Sequence, residues 1–162
     1  MADDALLSLS TRLGHALKAR GWTLALAESC TGGWAGQVIT AVPGSSAWFD
    51  RGFITYSNAA KEEMLHVPAA TLAQFGAVSE QTAQAMALGA LNNSHGDISG
   101  AITGIAGPDG GTTEKPVGTV CFAWATREGL LISATHLFNG DRHTIRQQSV
   151  QTSLEGLIRL TS

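Results

Sequence analysis

The sequence predicts an α/β fold in which helices lie on both faces of a mixed β-sheet. Segments with helical periodicity alternate with short apolar segments along the chain, a pattern typical of a sheet covered by helices. Near the C-terminus, two strand-like segments are separated only by Arg127, Glu128 and Gly129, which predicts one antiparallel hairpin. The 162 residues and a hydrophobic content of 44% fit a single domain, residues 1–162, with a core of ordinary size.

The first half of the chain predicts four helices and two strands. Apolar residues at helical spacing begin at Leu6, and Gly21 stands where a C-terminal cap belongs. The helix that follows the turn 28–33 must end before Pro43, because proline disfavours helical conformation at the preceding residue. The predicted elements are a helix from Leu6 to Gly21, a strand 22–27, a turn 28–33, a helix 34–41, a strand 49–56, a helix from Ser57 or Asn58 to about His66, and a short helix from Pro68 to Gly76.

The second half predicts two further helices and three strands. Ser79 precedes a helical segment, and serine is a favoured N-cap. A loop rich in glycine and proline separates the strand-like segments in the middle of this half. The predicted elements are a helix from Ser79 to about Asn92, a strand 98–103, a loop 104–116, strands 117–126 and 130–138, and a final helix 141–160.

Composition excludes several classes of partner. A net charge of -3 without a basic run argues against nucleic-acid binding, which requires a basic face. No stretch approaches the roughly 20 apolar residues that span a bilayer, so we expect no membrane association. The N-terminus lacks the positive region of a signal peptide, and two cysteines make no disulfide framework, so we expect a cytoplasmic protein. The five histidines lack metal-ligand spacing, and we expect no metal site.

The turn Ala27–Gly33 combines a serine with two glycines between a strand and a helix. Ligands of open sheets bind at the carboxyl ends of strands, and backbone amides there can hold an anion. Ser29 is therefore placed like a nucleophile beside amides that could stabilise an oxyanion. Ser29 or Thr31 could equally serve only as a helix cap, because serine and threonine are common caps. The motif alone does not decide between the two roles.

Two further segments carry candidate chemistry. Tyr56 ends a predicted strand, and Lys61 lies in the first turn of the next helix, where the helix dipole disfavours an ammonium ion. A lysine acts as a base only when its pKa is lowered, and most lysines are solvated surface groups. The segment Thr103–Thr112 again follows a strand, and its glycines fit either close backbone contact with a ligand or a flexible surface loop.

Taken together, these elements resemble the CinA C-terminal domain family from about Leu6 to Leu160. The residues that carry the resemblance are the segments 27–33, 42–46, 55–58 with Lys61, 76–79, 103–111, 115–120 and 140–142. The resemblance implies a three-layer α/β/α sandwich with a mixed, mostly parallel central sheet. It also implies an amidohydrolase that converts nicotinamide mononucleotide to nicotinate mononucleotide and ammonia in pyridine nucleotide recycling, without a cofactor.

The resemblance further implies a serine and lysine pair assisted by a tyrosine, and these roles fall on Ser29, Lys61 and Tyr56. We expect neutral Lys61 to accept the Ser29 proton, with Tyr56 relaying or orienting it, and amides at or just after Ser29 to hold the oxyanion. The Thr31–Gly33 helix start and Arg142 are both candidates for the phosphate; we favour Arg142 with the loop 107–111, and Asp109 could attract the pyridinium ring. The expected substrate-binding residues are Cys30, Thr31, Gly32, Gly33, Thr103, Gly104, Gly107, Pro108, Asp109 and Arg142.

Three alternatives remain open at this stage. Cys30 could be the nucleophile, with His66 or His143 as its base. The chain could instead be a non-catalytic nucleotide-binding or partner-binding module, or an amidase for a related pyridine amide such as nicotinamide riboside. The family also suggests a homodimer or higher homo-oligomer, to which Trp48 and Phe49 could contribute a subunit contact.

Overall fold

The computed structural model describes residues 2–162, which form six α-helices, one short 3₁₀ helix and five strands within that range. A five-stranded sheet lies between two groups of helices. The elements are α1 (Ala2–Arg20), β1 (Leu24–Glu28), α2 (Trp34–Thr40), a 3₁₀ helix (Ser45–Ala47), β2 (Phe49–Ile54), α3 (Asn58–Leu65), α4 (Ala69–Phe75), α5 (Glu80–Asn92), β3 (Ile98–Gly104), β4 (Thr119–Thr126), β5 (Leu131–Leu137) and α6 (Arg142–Thr161).

The sheet has the strand order β2-β1-β3-β4-β5. β1 pairs in parallel with both β2 and β3, whereas β3 with β4 and β4 with β5 are antiparallel. Four strands therefore run in one direction and only β4 is reversed, which confirms the mixed sheet and the C-terminal hairpin.

A separate apolar core fills each face of the sheet. One core joins α1, α2 and α6 to the sheet through large side chains such as Leu13, Phe122 and Leu154. The other joins α3, α4 and α5 to the sheet, and alanines dominate its strand positions. Small residues on that face let α5 approach β3 and β4 closely, and Met86 of α5 is fully buried there. The three-layer α/β/α arrangement is thus confirmed.

Side-chain caps fix where three of the helices begin. The side chains of Ser57, Ser79 and Asp141 accept hydrogen bonds from the backbone amides of Ala60, Thr82 and Thr144, respectively. Each bond satisfies an amide that the first helical turn leaves without a partner. The starts of α3 and α5 are therefore set by local sequence, as predicted, whereas Asp141 caps α6 and does not belong to the helix as the sequence predicted.

Some predicted boundaries and contacts are wrong. The first strand begins at Leu24 rather than Trp22, because the Trp22 amide donates to Leu17 O at the end of α1. This strand also includes Glu28, which the sequence placed in the turn. Trp48 does not lie at a surface available to a second subunit: it is 2% exposed and packs in the core against Gly14.

The strand order places one crevice at the carboxyl end of β1. The chain leaves β1 through α2 on one face to reach β2, and it returns from β2 to β3 through α3, α4 and α5 on the other face. In open α/β sheets, such a reversal of strand order is where ligands bind. No helix within residues 2–162 combines the length and apolarity needed to cross a bilayer.

Candidate active site

Ser29 and Lys61 are in direct contact at this crevice. Lys61 Nζ lies 2.9 Å from Ser29 Oγ, although 32 residues separate the two side chains along the chain. Ser29 directly follows β1, and Lys61 projects from the first half of α3. Lys61 is 1% exposed and Ser29 is 7% exposed, so bulk water is largely excluded from the pair.

Two backbone carbonyls complete the surroundings of the Lys61 amine. Nζ lies 2.8 Å from Thr55 O and 3.2 Å from Tyr56 O, both in the segment that joins β2 to α3. A neutral amine has two N–H donors and one lone pair. Donation to the two carbonyls therefore leaves the lone pair for the Ser29 hydroxyl proton.

The burial of Lys61 favours this neutral state. Desolvation lowers the pKa of Lys61 from 10.5 to about 8, because an ammonium ion is costly away from water. A Cys30 thiolate would oppose this effect, but burial raises the pKa of Cys30 to about 11. At neutral pH the Cys30 side chain is thus an uncharged thiol that does not stabilise the Lys61 ammonium ion.

Glu28 anchors the turn that carries Ser29. Its carboxylate is 2% exposed and accepts hydrogen bonds from Thr31 Oγ1 at 2.7 Å, Ala35 N at 2.9 Å and Gly36 N at 3.0 Å. These bonds satisfy backbone amides at the start of α2, where Gly33 provides no side-chain cap. The Thr31 side chain is consequently buried against Glu28.

Arg146 of α6 also holds this turn. Its guanidinium donates to Cys30 O and Thr31 O, each at 3.0 Å, and lies over the Trp34 ring at 5.4 Å. A guanidinium offers several donors in a rigid fork, so one side chain can fix two adjacent peptide planes.

Glu28 and Arg146 are functional candidates that sequence reasoning missed. The sequence placed Glu28 in the turn without a role for its side chain, and Arg146 lies more than 100 residues from the turn.

The predicted oxyanion donors need one correction. The Ser29 amide donates to Ile102 O at 3.0 Å in the neighbouring strand, so it is not free to bind an oxyanion. The Gly32 amide donates to Ser29 O at 3.1 Å. Within residues 2–162, the Thr31 amide has no backbone or side-chain acceptor, and the Cys30 amide contacts only the sulfur of its own side chain. These two amides are the remaining donors beside the Ser29 hydroxyl.

Tyr56 reaches the pair through its backbone rather than its phenol. Its carbonyl accepts from Lys61, whereas its side chain is 63% exposed and its hydroxyl lies 3.5 Å from Arg142 Nη2. No contact joins the phenol to Ser29 or Lys61 within the described residues, so the predicted proton relay has no contact to support it. The phenol instead borders the cleft beside Arg142.

The end of β3 and Ala106 of the loop after it reach the cleft. Thr103 and Gly104 line it, and Thr103 Oγ1 donates to Ala77 O at 2.8 Å. Gly107 O accepts a 2.7 Å hydrogen bond from Arg142 Nη1, which places the guanidinium at the cleft rim. Pro108 and Asp109 are exposed and do not line the cleft. In this structure Asp109 is therefore not placed to attract a ring bound beside Ser29.

The resulting cleft is small, with a volume of about 140 Å³. This is below the ~300–1,000 Å³ typical of whole-ligand pockets, so it suits one end of a larger ligand. Sequence reasoning missed Ala77, Val78 and Ala106 because their side chains carry no chemical signal. The lining residues are Ser29, Cys30, Tyr56, Lys61, Ala77, Val78, Thr103, Gly104, Ala106 and Arg142.

Gly32 and Gly33, which were also expected to bind substrate, do not line this cleft. Both have positive φ, at 59° and 103°, which favours glycine. A Cβ on Gly33 would lie 3.0 Å from Ile54 Cδ1. The glycines thus allow the sharp turn to pack against β2 rather than providing a surface for ligand in this structure.

The alternative cysteine nucleophile lacks a base. Cys30 lines the cleft, but neither His66 nor His143 does. The His143 ring instead lies 5.1 Å from the Trp34 ring, and His66 ends α3 in a left-handed conformation. Since burial also raises the pKa of Cys30, this thiol is poorly suited to form the reactive thiolate.

The chain is therefore a three-layer α/β/α protein. At the carboxyl end of β1, the buried amine of Lys61 contacts the hydroxyl of Ser29. The chain belongs to the CinA C-terminal domain family, which it matches over residues 6–161.

Curated relatives and solved structures agree with this family. The chain is 55% identical over 157 residues to the nicotinamide-nucleotide amidohydrolase PncC of Escherichia coli K12, covering 97% of this chain and 95% of the relative. It is 52% identical over 159 residues to PncC of Enterobacter agglomerans, covering 98% and 97%. The crystal structure of the competence/damage inducible protein CihA from Agrobacterium tumefaciens superposes with a TM-score of 0.94 at 45% identity, covering 97% of this chain and 96% of that one.

Proposed function

We propose that this chain is a nicotinamide-nucleotide amidohydrolase, which converts nicotinamide mononucleotide to nicotinate mononucleotide and ammonia. The names of full-length relatives at 52–55% identity support this activity. The observation that carries the chemistry is the 2.9 Å contact between Ser29 Oγ and the buried Lys61 amine. We place the reaction in the cytoplasm, as the sequence predicts.

In the proposed mechanism, Ser29 attacks the carboxamide carbon while Lys61 accepts its proton. An amide is a weak electrophile with a poor leaving group, so the reaction needs both an activated nucleophile and a proton for nitrogen. The carbonyl oxygen becomes an oxyanion, for which the amides of Cys30 and Thr31 are the nearest candidate donors. The protonated Lys61 then gives its proton to the departing nitrogen, and ammonia leaves.

The second half of the reaction repeats the same proton transfer with water. Neutral Lys61 removes a proton from water, which attacks the Ser29 acyl ester. The proton returns to Ser29 Oγ as the ester bond breaks, releasing the carboxylic acid. Lys61 acts as base and then acid in each half-reaction, so no other titratable group has to enter the buried end of the cleft.

The cleft volume and Arg142 suggest how the nucleotide is oriented. The pyridine carboxamide enters the 140 Å³ cleft, while the ribose and phosphate remain outside its mouth. Arg142 at the rim is the candidate phosphate partner, because a guanidinium binds phosphate oxygens with two parallel hydrogen bonds. Tyr56, whose hydroxyl approaches Arg142, helps to hold this side chain.

The test is ammonia release from nicotinamide mononucleotide by wild type, Ser29→Ala and Ser8→Ala. Ser8 is an exposed serine of α1 and serves as the matched control. We expect Ser8→Ala to match wild type and Ser29→Ala to lose about 10⁴-fold or more in kcat. Wild-type-like turnover in Ser29→Ala would remove the proposed nucleophile.

The same assay distinguishes the alternative functions. Saturable binding of nicotinamide mononucleotide without ammonia release from wild type would identify a non-catalytic binding module. Comparison with nicotinamide riboside tests the phosphate: we expect a higher KM for the riboside because it offers Arg142 no anion. Equal KM values would indicate that the phosphate contributes nothing to recognition.

A further inference from the structure

The connection between α4 and α5 forms one wall of the catalytic cleft. Ala77 and Val78 in this connection line the cleft together with Ser29 and Lys61. Val78 also lines a second, larger cavity of about 620 Å³. Residues 75–78, the wall segment, therefore border two cavities. Because atoms beside a void lose packing partners on that side, packing alone holds this segment poorly.

Side-chain hydroxyls hold two successive carbonyls of the wall segment. Ser79 Oγ and Thr82 Oγ1, at the start of α5, donate to Gly76 O at 3.1 Å and 2.6 Å. Thr103 Oγ1 of β3 donates to Ala77 O at 2.8 Å. Hydrogen bonds from neighbouring elements thus supply the support that packing does not.

The preceding carbonyl is held by Lys115. Lys115 Nζ donates to Phe75 O at 2.7 Å, and a Cβ on Gly76 would lie 3.4 Å from the same nitrogen. Phe75 is the last residue of α4, and carbonyls at a helix C-terminus have no partner within the helix. An ammonium ion is favourable there, because it satisfies a carbonyl and complements the helix dipole. Of the side chains that donate to the wall segment, Lys115 is the charged one.

The backbone around Lys115 is fixed, although much of its loop is exposed. Lys115 O accepts a hydrogen bond from Thr112 N at 2.9 Å, and Lys115 N donates to Thr112 Oγ1 at 3.0 Å. Pro116 O accepts from Thr119 N at 3.0 Å and from Thr119 Oγ1 at 2.7 Å. The lysine side chain therefore reaches the wall segment from a closed turn. This contact gives a role to the segment 115–120, which carried part of the family resemblance.

We propose that Lys115 is a positioning residue that sets the width of the catalytic cleft by holding the wall segment. In the proposed function, on which this role rests, the pyridine ring enters the cleft beside Ala77 and Val78. Lys115 itself does not line the cleft, so it acts through the wall segment. The wall contacts the ring equally before and during the reaction. Its release should therefore weaken binding without slowing the chemical step.

The kinetic test compares ammonia release by wild type, Lys115→Met and Lys115→Arg from nicotinamide mononucleotide and from nicotinamide riboside. Lys115→Met keeps most of the side-chain length but lacks the donor. We expect its KM to rise about three- to tenfold for both substrates, the cost of one hydrogen bond, with kcat within about twofold of wild type. Lys115→Arg keeps a cationic donor and should retain a KM within about twofold of wild type. Glu114→Gln, the exposed neighbour in the same turn, is the matched control and should match wild type.

The two substrates separate positioning from direct binding. An increase in KM for nicotinamide mononucleotide alone would overturn the proposal, because it would show that Lys115 binds the phosphate. Unchanged KM in Lys115→Met, a loss of kcat without a change in KM, or a failure of Lys115→Arg to restore KM would overturn it as well. Absence of ammonia release from wild type would instead remove the proposed function. The Kd for nicotinamide mononucleotide then replaces KM in the same comparison.

Hydrogen exchange tests the contact itself without substrate. At the end of α4, Gly76 N donates to Leu72 O at 2.9 Å. Lys115→Met should speed exchange at this amide, because the end of α4 loses its anchor. The Asn93 amide, which donates to Gly89 O at 3.0 Å at the end of α5, should exchange as in wild type. Equal exchange at Gly76 in wild type and Lys115→Met would contradict the proposal, since the wall segment would then be held without the lysine.

Discussion

Two glycine-containing loops follow neighbouring parallel strands, yet the structure treats them differently. The turn 29–33 after β1 is fixed by Glu28, Lys61 and Arg146, and its threonine is fully buried. The loop 105–116 after β3 is exposed from Pro108 to Glu114, and only its first residues approach the cleft. The comparison indicates that the turn positions the reacting atoms, whereas the loop contributes to the rim where the rest of a substrate lies.

After the loss of the nucleophile in Ser29→Ala, the largest expected effect is at the buried base. Lys61→Met keeps much of the side-chain volume but removes the amine that would accept the Ser29 proton. We expect kcat to fall by about 10²–10⁴-fold, the range that general-base catalysis contributes. Steady-state ammonia release measures it, and Lys18→Met on the exposed end of α1 is the control. A loss below tenfold would show that Lys61 is not the base.

The next effect concerns the anchoring of the turn. Arg146→Ala removes the hydrogen bonds to Cys30 O and Thr31 O, so the turn should lose its fixed position. We expect kcat to fall by about 100-fold with a smaller change in KM, because a misplacement of about 1 Å carries that cost.

Arg159→Ala, in the same helix but exposed, is the control for this change. Arg146→Lys should recover part of the rate, because a lysine can reach one carbonyl but cannot bridge two. If Arg146→Ala raises KM and leaves kcat unchanged, the residue binds substrate rather than positioning the nucleophile.

A smaller effect is expected at the rim. Arg142→Ala should raise the KM for nicotinamide mononucleotide by about ten- to 100-fold, the equivalent of ~1.5–3 kcal/mol for hydrogen bonds to a charged group. The KM for nicotinamide riboside should change far less, because it lacks the phosphate. Parallel increases for both substrates would place the phosphate elsewhere.

The smallest effect is expected in the exposed part of the loop. Asp109→Asn should change kcat and KM by less than about twofold, because the carboxylate is exposed and does not line the cleft. An increase in KM above fivefold would mean that the loop closes over the substrate and brings Asp109 to the pyridinium ring.

The local sequence predicted most helices and strands, but it predicted few of the tertiary contacts between them. Capping residues such as Ser57 and Ser79 act on the adjacent helical turn, so their effect can be read from nearby residues. Sequence order also indicated that Ser29 would lie at the carboxyl end of a strand. These features need no knowledge of tertiary packing.

Features that arise from packing could not be predicted in the same way. The burial of Lys61, which lowers its pKa, requires α3 to dock beside β2 and α5. The contact of Arg146 with Cys30 spans 116 residues, and the use of the Ser29 amide by Ile102 depends on strand pairing. The phenol of Tyr56 likewise points to Arg142 because of how two distant elements meet.

The pH dependence of kcat/KM tests most directly whether an uncharged amine activates the serine. Burial lowers the pKa of Lys61 to about 8, and only the unprotonated amine can accept the hydroxyl proton. We predict that kcat/KM rises about tenfold per pH unit below pH 8 and becomes constant above it. A profile that is flat between pH 6 and 9, or that falls across this range, would contradict the assignment of Lys61 as the base.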